Sequence, residues 1–439
     1  MSIIIMKKSI SIPRGTTDIL PEDTSRWISL EQSARRLLGC YGYNEIRTPV
    51  FEETELFARS VGQTSDIVQK QMLNLAPQGM SSDAQDIGPT VLSLRPEGTA
   101  PVVRSYIQNR FDRKERLSKL FYIGPMFRGE RPQKGRLRQF HQIGVEAIGP
   151  ESGSPYLDAE VISLCVALVD VFGVKDFDLK LNTLGTSRDK EHFGEHLRQE
   201  FQSCISDLCP DCQDRYKRNV FRVLDCKNTT CRKVVQSLSL DYQYLSDESR
   251  AYFESVKAIL DSQGIRYIQD PRLVRGLDYY THTVFELSCP NLGSQDAVGA
   301  GGRYNDLVEQ LGGPKADATG FALGIERLLL VSGKSGGDLP GTDSLDVFMI
   351  GLGEDAVGRA FHLVQALRAR GVSADMRFSA DSLKSQMRQA DKSYAAFVLM
   401  IGEDELAKGT VVVKDMKSGA QEEMSLEDME GLVGKLKMK

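Results

Sequence analysis

Five cations fall within the eleven residues 128–138 (Arg128, Arg131, Lys134, Arg136 and Arg138), opposed by Glu130 alone. Guanidinium forks converging on one place suit a polyphosphate and a small polar partner, because each grips an oxyanion through two parallel N–H bonds. In the strand-like stretch that follows, Gln142, Gly144 and Glu146 fall on one face by period-two alternation, and Ile143, Val145 and Ala147 on the other, the buried side. A buried face does not carry a carboxylate unless that carboxylate has a partner. Taken alone, the cation run also fits a solvated surface loop.

Three more groups invite a chemical reading. In Arg95–Pro101 (RPEGTAP) a strand-to-helix turn accounts for Gly98, for Thr99 as N-cap and for Pro101 in the first helical turn. It leaves Glu97 unexplained, and an ammonium is the natural partner of such a carboxylate. In Arg272–Glu286 polar and aromatic residues alternate, as in a strand with one face lining a cleft; Arg275, Tyr279 and Tyr280 lie here, with His282 as a neighbour. In Gly320–Leu328 a strand enters a helix, and Arg327 sits near the helix start, where the dipole favours anions. A surface arginine is the alternative there.

Cys209-x2-Cys212 and Cys226-x4-Cys231, with Cys204 nearby, resemble a four-cysteine zinc spacing, although the second pair is loosely spaced. With Cys40, Cys165 and Cys289 they total eight cysteines, expected to be reduced in a cytosolic protein. Zinc stays open, without commitment to a metal.

The elements that position these groups follow from pattern. A helix capped by Asp23 or Thr24 carries Trp27, Leu30, Ala34, Leu37 and Leu38 on one stripe, closes at Gly39 or Gly42, and leads to a strand Asn44–Thr48 before Pro49. Val91–Leu94 is a short strand. Phe121–Gly149 reads as two strands joined by a loop far longer than strand pairing needs. Glycines at 299, 301 and 302 mark a strand with a bulge or close backbone approach, and no Gly-rich turn opens a βαβ unit as a dinucleotide fingerprint would. From about Leu184 to Gln263 charges multiply and apolar groups shorten. Ser332–Thr342 is a linker by composition. Beyond it, strand Asp346–Ile350, helix Asp355–Arg370, strand Val372–Met376, helix Ser382–Asp391 and strand Ala395–Ile401, then two strands and a terminal helix, make a small α/β domain.

At 439 residues the chain suits two or three domains, and 41% hydrophobic with 26% charged residues is ordinary for a soluble globular protein. No apolar run approaches the ~20 residues of a membrane span. The apolar cluster at the start precedes its lysines, the reverse of a secretory signal, so a cytoplasmic location is expected. A net charge of -5 lacks the basic footprint of a non-specific nucleic-acid binder.

The runs FRGERPQ and RQFHQIGVE resemble the second signature motif of class II aminoacyl-tRNA synthetases, and in detail the histidyl-tRNA synthetase family. RPEGTA is similar to that family's histidine-binding turn, RGLDYY to its second strong block, GFALGIERL to the third class II motif, and the helix and strand before Pro49 to the first, which builds a dimer interface. The resemblance implies an α+β catalytic domain on an antiparallel sheet (1–335), a helical insertion (about 184–263) that clamps a tRNA acceptor stem, a linker (336–344) and an anticodon-binding-like α/β domain (345–439). It implies a homodimer that joins L-histidine to tRNA(His) with ATP and Mg²⁺ through a histidyl-adenylate. By resemblance Arg128 and Arg275 hold the carboxylate and α-phosphate, and Arg136 and Arg327 the outer phosphates. Glu97, Gly98, Thr99 and Gln142 belong to the α-amino site, and Glu146, Tyr279 and Tyr280 enclose the imidazole. Two rivals stand beside this reading: a regulatory paralogue that binds histidine without aminoacylating, and an RNA-binding or signalling module on an inactive synthetase fold.

Overall fold

The computed structural model describes residues 10–63, 65–75, 91–293, 296–332 and 345–437. Their contacts divide into two compact units, one drawn from 1–19 and 30–337, the other from 20–29 and 338–439. The expected linker 336–344 lies outside the described residues.

The first unit is built on an eight-stranded sheet. Its strands in chain order are β1 (Asn44–Glu45), β2 (Ser118–Phe127), β3 (Gln139–Ile148), β4 (Asp178–Thr183), β5 (Ile268–Gln269), β6 (Thr281–Ser288), β7 (Ala297–Arg303) and β8 (Ala318–Gly324). They lie side by side as β1-β2-β3-β8-β7-β6-β4-β5. Every pairing from β2 to β4 is antiparallel, and only the two short edge strands run parallel to their neighbours. An α+β domain on an antiparallel sheet is therefore correct.

The hairpin β2–β3 pairs over ten residues, Ser118 opposite Ile148 through Phe127 opposite Gln139, with the cationic run as its loop. Ile143, Val145 and Ala147 are fully buried, as their alternation requires. The other face is also covered: Gly144 and Glu146 are buried, because a second layer of side chains closes over it. At β7 register shifts occur at both ends, and a Cβ on Gly301 would stand 2.3 Å from the Gly320 carbonyl oxygen. Only glycine lets these two backbones approach so closely.

Three local readings are corrected. The strand at Asn44–Thr48 spans only Asn44–Glu45, since Arg95 takes the carbonyls of Thr48 and Pro49 away from any ladder. The stretch 272–280 is not strand; β6 begins at Thr281. Its carbonyls are held from elsewhere: the Asn182 amide donates to Leu273 O at 2.9 Å, and Lys190 Nζ to Asp278 O at 2.7 Å and Tyr280 O at 2.9 Å. Thirdly, Thr99 is the first helical residue of Thr99–Gln108 and not its cap.

The 184–263 region is helical, with Ser187–Phe201, Pro210–Arg218, Thr229–Ser237 and Asp247–Ser262 as its main helices. Asp189 holds its first helix through a capping box with Thr186.

The second unit has a five-stranded sheet of β9 (Val347–Gly351), β10 (Ala374–Met376), β11 (Phe397–Ile401), β12 (Thr410–Asp415) and β13 (Gln421–Ser425), ordered β10-β9-β11-β12-β13. The helices Glu354–Arg368 and Leu383–Lys392 lie close to the expected ranges, and a short helix Glu403–Lys408 was not foreseen. Among the described residues no helix is long and apolar enough to cross a membrane.

Candidate active site

Glu97, Thr99, Arg128, Arg136, Gln142, Arg275, Tyr279, Tyr280 and Arg327 all line one cleft on the polar face of the sheet. They come from the turn before Thr99–Gln108, from β3, from the β2–β3 loop, from the 272–280 connection and from the helix Ile325–Val331. Residues far apart in sequence thus meet where the sheet carries its polar face.

Each cation is aimed by a specific contact. Arg128 donates through Nε to the Pro96 carbonyl at 2.9 Å and lies over the Phe140 ring at 5.1 Å. Arg136 pairs with Glu130 at 3.0 Å. Arg327 donates to Gly135 O at 3.0 Å and to Ala297 O, which ties the cationic loop to the sheet. Arg275 is ion-paired with Glu286. Burial and the neighbouring guanidinium of Arg136 bring Arg327 down to about 10, against the opposing pull of Glu130.

Glu97 has a structural task that spacing did not reveal. Its carboxylate accepts the N–H groups of Thr99 at 2.7 Å and Ala100 at 2.9 Å, capping the helix in place of the expected Thr99 hydroxyl. It also faces the cleft, with Arg128 near enough to oppose the effect of burial on its charge.

Glu146 departs furthest from expectation. It is 1% exposed and does not line the cleft. The Thr99 hydroxyl donates to its Oε1 at 2.7 Å, and the Tyr304 hydroxyl to its Oε2. Burial pushes its carboxyl up to about 8, although both hydroxyls pull the other way. Glu146 therefore stands one layer behind the pocket wall and holds the two hydroxyls that form it.

Tyr122 and Tyr304 are the residues that the sequence reading missed. Both line the cleft, and the Tyr122 hydroxyl is buried without a partner, as is the Gln142 amide oxygen. Unpaired buried polar atoms beside a cleft mark where a ligand would bond. A Cβ on Gly98 or on Gly144 would stand 2.2 Å from the Tyr122 ring, so both glycines exist to seat it. Gly98 is accordingly covered by Tyr122 and does not line the cleft itself. Behind Tyr304, Arg303 and Asp158 form an ion pair at 2.5 Å, both 1% exposed, with Thr283 donating to Asp158 at 2.7 Å. Such a buried, fully bonded pair fixes the strand end that carries Tyr304. His282 packs against Tyr252 with ring centroids 5.4 Å apart and stays outside the cleft.

Against known proteins, the family model described as histidyl-tRNA synthetase matches residues 15–328, and the anticodon binding domain model matches 346–436. The chain belongs to the histidyl-tRNA synthetase family. It is 44% identical to the histidine--tRNA ligase of Halothermothrix orenii over 428 residues, 97% of this chain and 100% of that protein. With the histidine--tRNA ligase of Staphylococcus aureus (strain JH9) the identity is also 44%, over 95% of this chain and 98% of the relative. The crystal structure of apo S. aureus histidyl-tRNA synthetase aligns with a TM-score of 0.78 at 39% identity, covering 98% of this chain and 100% of that one. This synthetase membership makes the chain a class II aminoacyl-tRNA synthetase, with ATP as a substrate.

Proposed function

We propose that the cleft aligns L-histidine and ATP for adenylate formation, with the residues already gathered there in distinct roles. ATP-dependent ligation of histidine to tRNA, through a histidyl-adenylate, is the activity of the family to which the chain belongs. No side chain has to act as nucleophile: the histidine carboxylate attacks the α-phosphate, the P–O bond to pyrophosphate breaks, and the histidyl group then passes to the 3′ end of tRNA(His). Catalysis is alignment plus stabilisation of charge. The observation that carries the reading is the convergence of Arg128, Arg136, Arg275 and Arg327 on the wall that also holds Glu97 and Gln142.

Arg128 and Arg275 hold the carboxylate and α-phosphate, and Arg136 and Arg327 the outer phosphates. Glu97 and Gln142 bind the α-amino group, with Thr99 beside them. Tyr122, Tyr279, Tyr280 and Tyr304 enclose the imidazole. Mg²⁺ would supply charge screening at the phosphates, and Glu130 and Glu326 are the hard carboxylate donors on that wall that fit it. The domain division is part of the same reading: a catalytic domain (1–335) with its insertion, and the C-terminal unit as the anticodon-binding part, in a cytoplasmic enzyme.

The test is histidine-dependent exchange of pyrophosphate into ATP by the full chain. Exchange is expected with L-histidine and not with other amino acids. Its absence in well-folded protein would favour a histidine-binding regulatory protein instead.

A homodimer belongs to this reading as well. Val50, Phe51 and Val91 are exposed apolar residues in or beside the paired strands Phe51–Glu53 and Leu92–Leu94, just after the first-motif region, and a partner surface would cover them. Light scattering at micromolar protein should return twice 48.8 kDa; an active monomer would contradict it.

A further inference from the structure

We propose that Cys209, Cys212, Cys226 and Cys231 hold one Zn²⁺ in a closed, four-thiolate structural site. Their sulfurs all lie within 4.8 Å of one another, and Cys209 Sγ stands 3.9 Å from Cys226 Sγ. A tetrahedron with Zn–S bonds of about 2.3 Å has edges of about 3.8 Å. The four sulfurs are thus spaced to surround one ion, and none of the four cysteines is in a disulfide.

The four come from three short elements. Cys209 precedes the helix Pro210–Arg218 and Cys212 lies in its first turn, Cys226 follows Phe221–Leu224, and Cys231 lies in the first turn of Thr229–Ser237. These helices have nine, four and nine residues. Isolated helices under about 12 residues are marginal, so a crosslink at their meeting point would contribute directly to folding. Cys212, Cys226 and Cys231 are buried, as closed structural sites require.

The surroundings suit thiolates. The Cys209 N–H donates to Cys231 Sγ at 3.2 Å and the Asn228 N–H to Cys226 Sγ at 3.4 Å, an outer shell that orients the ligands. The Arg215 guanidinium faces Cys212 and Cys226. It offsets the net negative charge that a dication with four thiolates leaves. Binding would replace thiol protons, which pass to solvent.

In sequence this region stands apart from the motif blocks. The fold brings it closer. Asn219 donates to Asp278 at 3.0 Å, Arg215 pairs with Asp66 at 2.8 Å, and Arg222 lies 3.7 Å from the same carboxylate. Asp278 follows Arg275 by three residues, so the helices tied by the metal also buttress the connection that carries that arginine.

The purified full chain, made without a metal-affinity tag, is expected to contain about one zinc per chain by elemental analysis, and Cys231→Ser to lose it. Protein refolded with Co²⁺ should show an intense thiolate-to-cobalt charge-transfer band. Zinc removal by a chelator should open residues 202–240 to protease and lower the rate of adenylate formation about tenfold, the lower end of what losing a supporting shell costs. Metal at background in the wild-type chain, or iron in place of zinc, overturns the proposal. So does full zinc retention in Cys231→Ser. An unchanged rate of adenylate formation in zinc-free protein removes the link to Arg275.

Discussion

Replacing Arg275 with alanine is expected to cut histidyl-adenylate formation by at least ~10²-fold while L-histidine still binds measurably. The guanidinium lines the cleft and is ion-paired with Glu286, itself on β6. Burial works against its charge, but Glu286, Tyr280 and Asp225 together outweigh it and keep the cation firmly protonated. A fixed charge of this kind is worth more against a developing transition-state charge than against neutral substrate, because no solvent has to reorganise around it. The loss should therefore appear in single-turnover formation of the adenylate and far less in the dissociation constant for histidine. Alanine also leaves Glu286 without its cation, so a thermal melt must accompany the kinetics. Pairing Arg275→Ala with Glu286→Gln removes the stranded charge, and the rate deficit should persist. Near-normal adenylate formation in either variant would take Arg275 out of the mechanism.

The legible parts of this site were those whose signal is local. Strand alternation placed Gln142 and Ile143 on opposite faces, and the charged loop stood out because a hairpin needs only a few residues to turn. The block 272–286 was misread in its first half because bulky and polar residues alternate there as they would in a strand. What holds those residues is long-range: the Asn182 and Lys190 side chains bond their carbonyls. Nothing in a window of sequence announces such contacts. Glu97 was singled out correctly, yet its capping bonds to Thr99 and Ala100 could not be told from spacing.

Tyr122 and Tyr304 were invisible for another reason. Both are buried aromatic residues, Tyr122 within β2 and Tyr304 just past the end of β7, where a tyrosine reads as core. One signal was available: Gly98 and Gly144 each lack a side chain where helix and strand would gladly carry one. Two glycines facing a single aromatic imply that its ring must lie flat between them.

The last expectation concerns how histidine is distinguished from its competitors. Above about pH 8, where Glu146 is ionised, Glu146→Gln should keep the fold and lower kcat/KM for histidine by about 10²-fold, equivalent to about 2.7 kcal/mol. The wild-type carboxylate accepts two hydroxyl bonds at once, from Thr99 and Tyr304. A glutamine offers one oxygen and one NH₂, so one hydroxyl must turn away or remain unpaired, at a cost of about 1–3 kcal/mol. Both hydroxyls belong to the pocket, and their lone pairs are aimed because Glu146 takes their protons. The pH dependence follows. With a folded-state value of about 8, Glu146 keeps its proton at neutral pH in the free protein. That value is raised above the unfolded one, so the stability it contributes is fully present below the unfolded pKa of about 4.3 and is lost as pH rises through about 8. If the ionised carboxylate orients the two hydroxyls toward the substrate N–H, kcat/KM must climb with pH through about 8, and Glu146→Gln must lack that limb. Glu97→Gln should instead weaken all amino acids alike, since its carboxylate meets the α-amino group that they share. A Glu146→Gln enzyme that activates histidine as well as the parent, with the same pH limb, would show that the imidazole is read elsewhere.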